Sequence, residues 1–302
     1  MIESDLKRKR RGTHIDDGDD DDDDDDEGDE KEPRHKKAPL STPSPISLGS
    51  GKYNRSAVEE YFPGYDAAAS APTRERPGGA FRFAAAAGAS EAEAARVAAF
   101  RPNRSPEEVM RAGAFGGTYF RTISSSVTKQ TYKDQWKELP ETWTKGLNAP
   151  RVLSRPWDKY DVAVNKYGAK CGQTLEDWQS NGWMSHHDPF GWFQWYCRFF
   201  MGRRCDDDER QIGRWLKCCG PTGRWKSNLC GKVVIAQASY DDASVSPVVR
   251  QTLLHWAYEL TEEDFAKGRA KIMKGKGATY VNRAALDAAV ANQKNKGKKR
   301  AK

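Results

Sequence analysis

The chain has 302 residues, a formal net charge of +7, and 37% hydrophobic against 31% charged residues. That apolar share lies below the roughly 45–50% usual for globular chains, so part of the chain is expected not to bury a core. No run of about 18 apolar residues is present, which excludes a membrane-spanning helix, and MIESDLKRKRRG lacks the apolar region of a secretory signal. An intracellular protein whose six cysteines are reduced thiols is therefore expected.

In chain order, KRKRR at Lys7 to Arg11 fits a nuclear localisation pattern. From Asp16 to Glu30, thirteen of fifteen residues are acidic. Charges of one sign at that density repel, which predicts a disordered segment suited to histones or other basic proteins. Residues 33–100 are rich in Pro, Ser, Gly and Ala and read as linker. The Ala, Glu and Arg of residues 91–100 suit a short helix. Residues 1–100 hold 15 Lys+Arg against 22 Asp+Glu, and residues 101–302 hold 35 against 21. An acidic arm thus precedes a strongly basic remainder, whose expected partner is anionic. All ten tryptophans lie between Trp136 and Trp256, and tryptophan dominates core energetics. The chain accordingly divides into a disordered arm over 1–104, an aromatic-rich helical domain over 105–280 and a basic tail over 281–302.

Within that domain, Ser105-Pro106-Glu107-Glu108 predicts a helix start, with Ser as N-cap and Pro at the first position, running to Gly113. Gly116-Gly117 predicts a turn followed by a short strand, and 128–183 reads as short helices and loops held by aromatics. Asp188 and Pro189 are expected to start a helix that Gly202 stops after Met201. Seven of the eleven residues from Phe190 to Phe200 are aromatic. Only Gln194 and Arg198 form a polar stripe, and a helix apolar nearly all round belongs at the centre of a domain. Acidic residues 206–209 load the start of another helix. Ile212, Trp215, Leu216 and Cys219 form its apolar face, with Arg210, Arg214 and Lys217 on another. The turn GPTG and a helix from Arg224 toward Ala238 complete a helix-turn-helix outline. Ser246-Pro247 is expected to cap a helix with Val249, Leu253, Leu254, Ala257 and Leu260 inward, and Thr261 to Asp264 resembles a capping box before a last, basic helix. The fold class is mainly α: one compact helical domain between long disordered arms.

No G-x-S-x-G, P-loop or H-E-x-x-H pattern is present, and the cysteines show neither C-x-x-C pairs nor regular Cys/His spacing. No catalytic residue, metal or cofactor is predicted. Arg203, Arg204, Arg210, Arg214, Lys217, Arg224, Lys226 and Lys232 fall within thirty residues, with Trp225 among them. Cations neutralise phosphate and planar groups stack on bases. In a helix-turn-helix, the start of the second helix reaches base edges, here Arg224, Lys226, Ser227 and Asn228. The expectation is a non-catalytic nuclear nucleic-acid-binding or chromatin-associated protein, partnered by DNA or RNA. Two other readings fit the same chain. One is a protein-interaction module whose acidic arm binds basic partners. The other is an enzyme built on His186, His187, His255 or a cysteine.

The segments FGGTYFR (115–121), DPFGWFQWYCRFFMGRR (188–204), DERQIGRW (208–215) and RQTLLHWAYEL (250–260) together resemble an uncharacterised protein family of fungi, green algae and plants. The resemblance spans about Met110 to Leu260. It implies one domain in a eukaryotic setting and brings no activity or site residue with it.

Overall fold

The computed structural model describes residues 72–172, 186–278 and 281–300, the side chains of 296–300 excepted. Strands β1 (Thr73–Arg74) and β2 (Phe81–Arg82) pair antiparallel. Helix α1 (Glu91–Ala99) starts on a Ser90–Glu93 capping box. Helix α2 (Pro106–Ala112) starts as the sequence predicts: the Ser105 hydroxyl accepts the Glu108 N–H, and the Glu108 carboxylate accepts the Ser105 N–H. The following segment is built of single turns at Phe115–Gly117, Gln135–Glu138, Glu141–Thr144, Ala149–Val152, Trp157–Lys159 and Val162–Val164. The strand expected after Gly117 shrinks to β3 (Ile123–Ser124), paired antiparallel with β4 (Thr131–Tyr132). Gly117 has φ +78°, and a Cβ there would lie 2.3 Å from the Arg151 carbonyl oxygen, so this close approach requires glycine.

The larger helices are α3 (Trp192–Phe200), α4 (Asp208–Cys219), α5 (Arg224–Ala236), α6 (Pro247–His255), α7 (Glu262–Met273) and α8 (Arg283–Arg300). The mainly α architecture is as expected, and helix α4, the four-residue turn 220–223 and helix α5 follow the anticipated order. All described residues fall in one compact unit. Two local expectations change. Ser246 lies in the left-handed region and gives α6 no side-chain cap. Thr261 does cap α7, but the Asp264 carboxylate accepts the Tyr258 hydroxyl rather than the cap backbone.

The packed region is wider than 105–280. Phe81, Phe83, Val97 and Phe100 are buried core residues, although the Pro/Ala-rich composition around them reads as linker. The Phe100 ring lies 5.1–5.9 Å from the rings of Trp195, Tyr196, Phe199 and Trp215. At the other end, the expected tail is helical over α8, and Leu286 and Ala289 are buried. The arm before residue 72, with its basic and acidic runs, lies outside the described residues.

The central helix differs from expectation in its polar groups. Asp188 does not cap it; α3 begins four residues later, after Gly191. Asp188 is instead fully buried, and its carboxylate accepts Arg203 Nη1 at 2.7 Å and Nη2 at 2.6 Å. Arg198 Nη1 donates to the same carboxylate at 3.0 Å and to the His187 carbonyl at 2.5 Å. The predicted polar stripe faces inward as well. The Glu138 carboxylate accepts Arg198 Nη2 at 2.7 Å and Gln194 Nε2 at 3.2 Å. An aromatic helix can bury these groups only because they satisfy one another.

Phe100→Ala is expected to cost about 3–5 kcal/mol by loss of burial and cavity formation, read as a drop in the denaturant midpoint. Asp188→Asn is expected to cost about 3–5 kcal/mol by leaving arginine charge unpaired. Burial alone would raise the Asp188 carboxyl, but Arg203 and Arg198 outweigh it and hold it below its ordinary value. Its stabilisation is therefore complete above pH ~4 and lost as pH falls below that. Asp188→Asn should lose less stability than the wild type on acidification in that range.

Candidate nucleic-acid interface

The cations named from the sequence differ in their surroundings. Arg203 is 1% exposed and held by Asp188, so it belongs to the core and not to a binding surface. Arg204 stacks over Phe199 at 3.8 Å and donates to the carbonyls of Ala84, Phe199 and Arg203, covering the core edge. Arg210, Lys217 and Arg224 are exposed. Arg214 and Lys232 are half-buried.

The start of α5 does not present the expected base-reading edge. Lys226 is only 13% exposed, lies 3.8 Å from Asp264 and sits over the Tyr258 ring. Asn228 is buried. Trp225 is half-buried against the core, with the Arg224 guanidinium 4.8 Å from its ring centre. The cause is periodicity. Positions 226, 229, 230 and 233 share the inward side of α5, and Lys226 follows the other three.

The outward cations lie along α4 and around the 220–223 turn. Spacings of four and seven residues place Arg210, Arg214 and Lys217 on one face of α4. Arg214 and Arg224 both bear on the Cys218 thiol, which burial pushes up to about 11. Lys271 of α7, exposed and named in the sequence only as part of a basic run, reaches the Pro221 carbonyl with its ammonium at 3.3 Å. Arg210 forms a fork with Asp207 at 2.6 and 2.8 Å. Arg214 donates to Gln211 at 3.1 Å and lies over Trp256. Burial first, and the Arg210 charge second, bring Arg214 down to about 10, still a cation at neutral pH.

A histidine–cysteine pair also forms, from residues the sequence does not place together. The His255 Nδ1 lies 3.4 Å from Cys171 Sγ. Its Nε2 accepts the Phe115 N–H at 2.9 Å, and its ring stacks on Phe115 at 4.0 Å. A backbone amide only donates, so Nε2 carries the lone pair and the neutral ring holds its proton on Nδ1. That ring cannot take the thiol proton. Burial pushes His255 down to about 3 and Cys171 up to about 12. The pair is a packed polar contact, and this geometry argues against a thiolate nucleophile there.

Comparison of the chain with protein-family models, with curated proteins and with solved structures finds no match in any of the three.

The His255 arrangement sets a pH dependence. Its folded value of about 3 lies below the ordinary value of 6.5, so the unfolded chain binds the proton first. The stabilisation is complete above pH ~6.5 and falls by about 1.4 kcal/mol per pH unit toward pH ~3. His255→Gln should be less stable at neutral pH and lack this slope. Urea midpoints of the two proteins should therefore converge as pH falls.

Proposed function

We propose that this is a non-catalytic nuclear protein that binds nucleic acid by its phosphates, through the cations around the 220–223 turn. One observation carries the reading: Lys217, Arg224 and Lys271 are exposed around that turn, and Arg210 is exposed further back along α4 on the side of Arg214, whose charge burial first and Arg210 second disfavour. Like charges so placed destabilise one another, and a phosphate between them relieves the repulsion while releasing counterions. The inward Lys226 and Asn228 favour grip on the backbone over reading of base edges, so DNA and RNA are both suitable partners. KNKGKKRAK at 294–302 adds cations at the chain's end, and KRKRR at 7–11 supports the nucleus. The acidic run at 16–30 has the charge to compete with phosphate for the same surface or to hold basic chromatin proteins.

Replacing both Lys217 and Arg224 by Ala is expected to lower the slope of log affinity against log salt by roughly 0.9 for each duplex-DNA phosphate that is no longer neutralised. Stability should stay within about 0.5 kcal/mol of wild type per surface change. Fluorescence anisotropy with labelled duplex, single strand and RNA at several salt concentrations reads the slope. An unchanged slope in the double variant would remove this surface from the binding site.

A further inference from the structure

We propose that His187, Cys205 and Asp206 bind a divalent transition-metal ion of the zinc class. One ligand atom from each, the His187 and Asp206 donors and the Cys205 sulfur, lie within 4.8 Å of one another. His187 Nε2 and Asp206 Oδ1 are 2.7 Å apart. Tetrahedral zinc with its usual bond lengths needs donor separations of about 3.3–3.6 Å. The set therefore reaches metal geometry by movements on the order of an ångström in side chains that are half-buried or exposed. Imidazole nitrogen, thiolate and carboxylate are the donors zinc prefers, and three protein ligands leave one position open to water.

The core fixes the two ligand segments relative to one another. His187 immediately precedes Asp188, and Cys205 follows Arg203 by two residues. The Asp188–Arg203 fork, at 2.7 and 2.6 Å, clamps these segments together from within the core. Arg198 adds a bond to the His187 carbonyl itself. The donors are thus brought together by buried contacts that owe nothing to the metal, which is the preorganisation a site requires. The charges balance: one thiolate and one carboxylate neutralise a dication. On binding, the Cys205 thiol gives its proton to solvent, and the proton that His187 Nε2 and Asp206 now share moves to His187 Nδ1, which leaves both atoms with a lone pair for the metal. The Cys205 sulfur now donates to Asp208 at 3.3 Å, so that hydrogen bond is exchanged for the metal–sulfur bond.

The test uses the full chain, stripped with chelator and titrated with cobalt(II). The expected result is a thiolate-to-cobalt charge-transfer band that saturates at one equivalent and is displaced by zinc. Cys205→Ser and His187→Ala should each abolish the band, and Cys218→Ser should keep it. Asp206→Asn alters a side chain that is 79% exposed, so it leaves the fold intact and should weaken cobalt binding at least 10-fold, a size that even outer-shell losses reach. Near-UV circular dichroism checks the fold of each variant. A missing band in the wild type, a band that survives Cys205→Ser, or unchanged affinity in Asp206→Asn would overturn the site.

Discussion

A buried carboxylate organises the centre of this protein. Asp188 precedes the aromatic helix α3, Arg198 stands in its last turn and Arg203 lies beyond its end. By accepting from both arginines, Asp188 ties the entry of the helix to its exit and closes the aromatic segment into a unit. Glu138 takes the remaining face of Arg198 and the amide of Gln194, which brings in the turn 135–138 from outside. The aromatic surface supplies the driving force, since each large ring buries about 150–250 Å². That force has no direction. The ion pairs give it one, because unpaired charge at this depth costs several kcal/mol and the observed arrangement pairs Asp188 and Glu138 with Arg198 and Arg203. The capping duty that Asp188 leaves undone passes to Tyr119. Its hydroxyl accepts the Gln194 N–H at 2.9 Å and donates to the Phe190 carbonyl at 2.6 Å.

What is legible in the sequence and what is hidden follows from the range of the interactions. The start of α2 is legible because Ser105, Pro106 and Glu108 settle it among themselves. The inward faces of α4 and α6 are legible because a 3.6-residue period repeats within one helix, and Ile212, Trp215, Leu253 and Leu254 are buried accordingly. Asp188 misleads because Asp before a helix is a good cap, whereas its actual partners depend on folding. The linker reading of 33–100 fails over its described part, 72–100, for a related reason. Composition averages over a segment, but four apolar residues placed at Phe81, Phe83, Val97 and Phe100 suffice to dock it.

The arginines show the same limit at the candidate surface. Arg203 and Arg204 are neighbours in a basic dipeptide, yet one is sealed in the core and the other covers its rim. A guanidinium can neutralise a buried carboxylate, shield a ring or meet a phosphate, and a count of cations does not distinguish these uses. The period of α4 does for Arg210 and Lys217, which are exposed, whereas Arg214 on the same side is half-buried over Trp256. For α5 the period is informative too: Lys226 falls in line with the buried positions 229, 230 and 233. Lys271 is beyond such reasoning, because α7 meets the turn only through tertiary packing.

The core and the surface are mechanically continuous through α4. Its first residue, Asp208, accepts the Trp195 indole N–H from α3 at 2.8 Å and the Cys205 N–H at 3.1 Å. Further along, the Trp215 indole donates to the Trp256 carbonyl at 2.8 Å. The helix is therefore pinned at its start to the arginine-clamped segment and in its second half to the end of α6. Cations on a helix held this way keep a fixed spacing, and little order is left to impose when an anion arrives. The repulsion between Arg210 and Arg214 is offset in part by the Asp207 carboxylate, which forks Arg210 and favours the Arg214 charge. The residues that recognise phosphate in this reading and the residues that fold the domain are thus different arginines, set to their separate tasks by whether a carboxylate reaches them in the core.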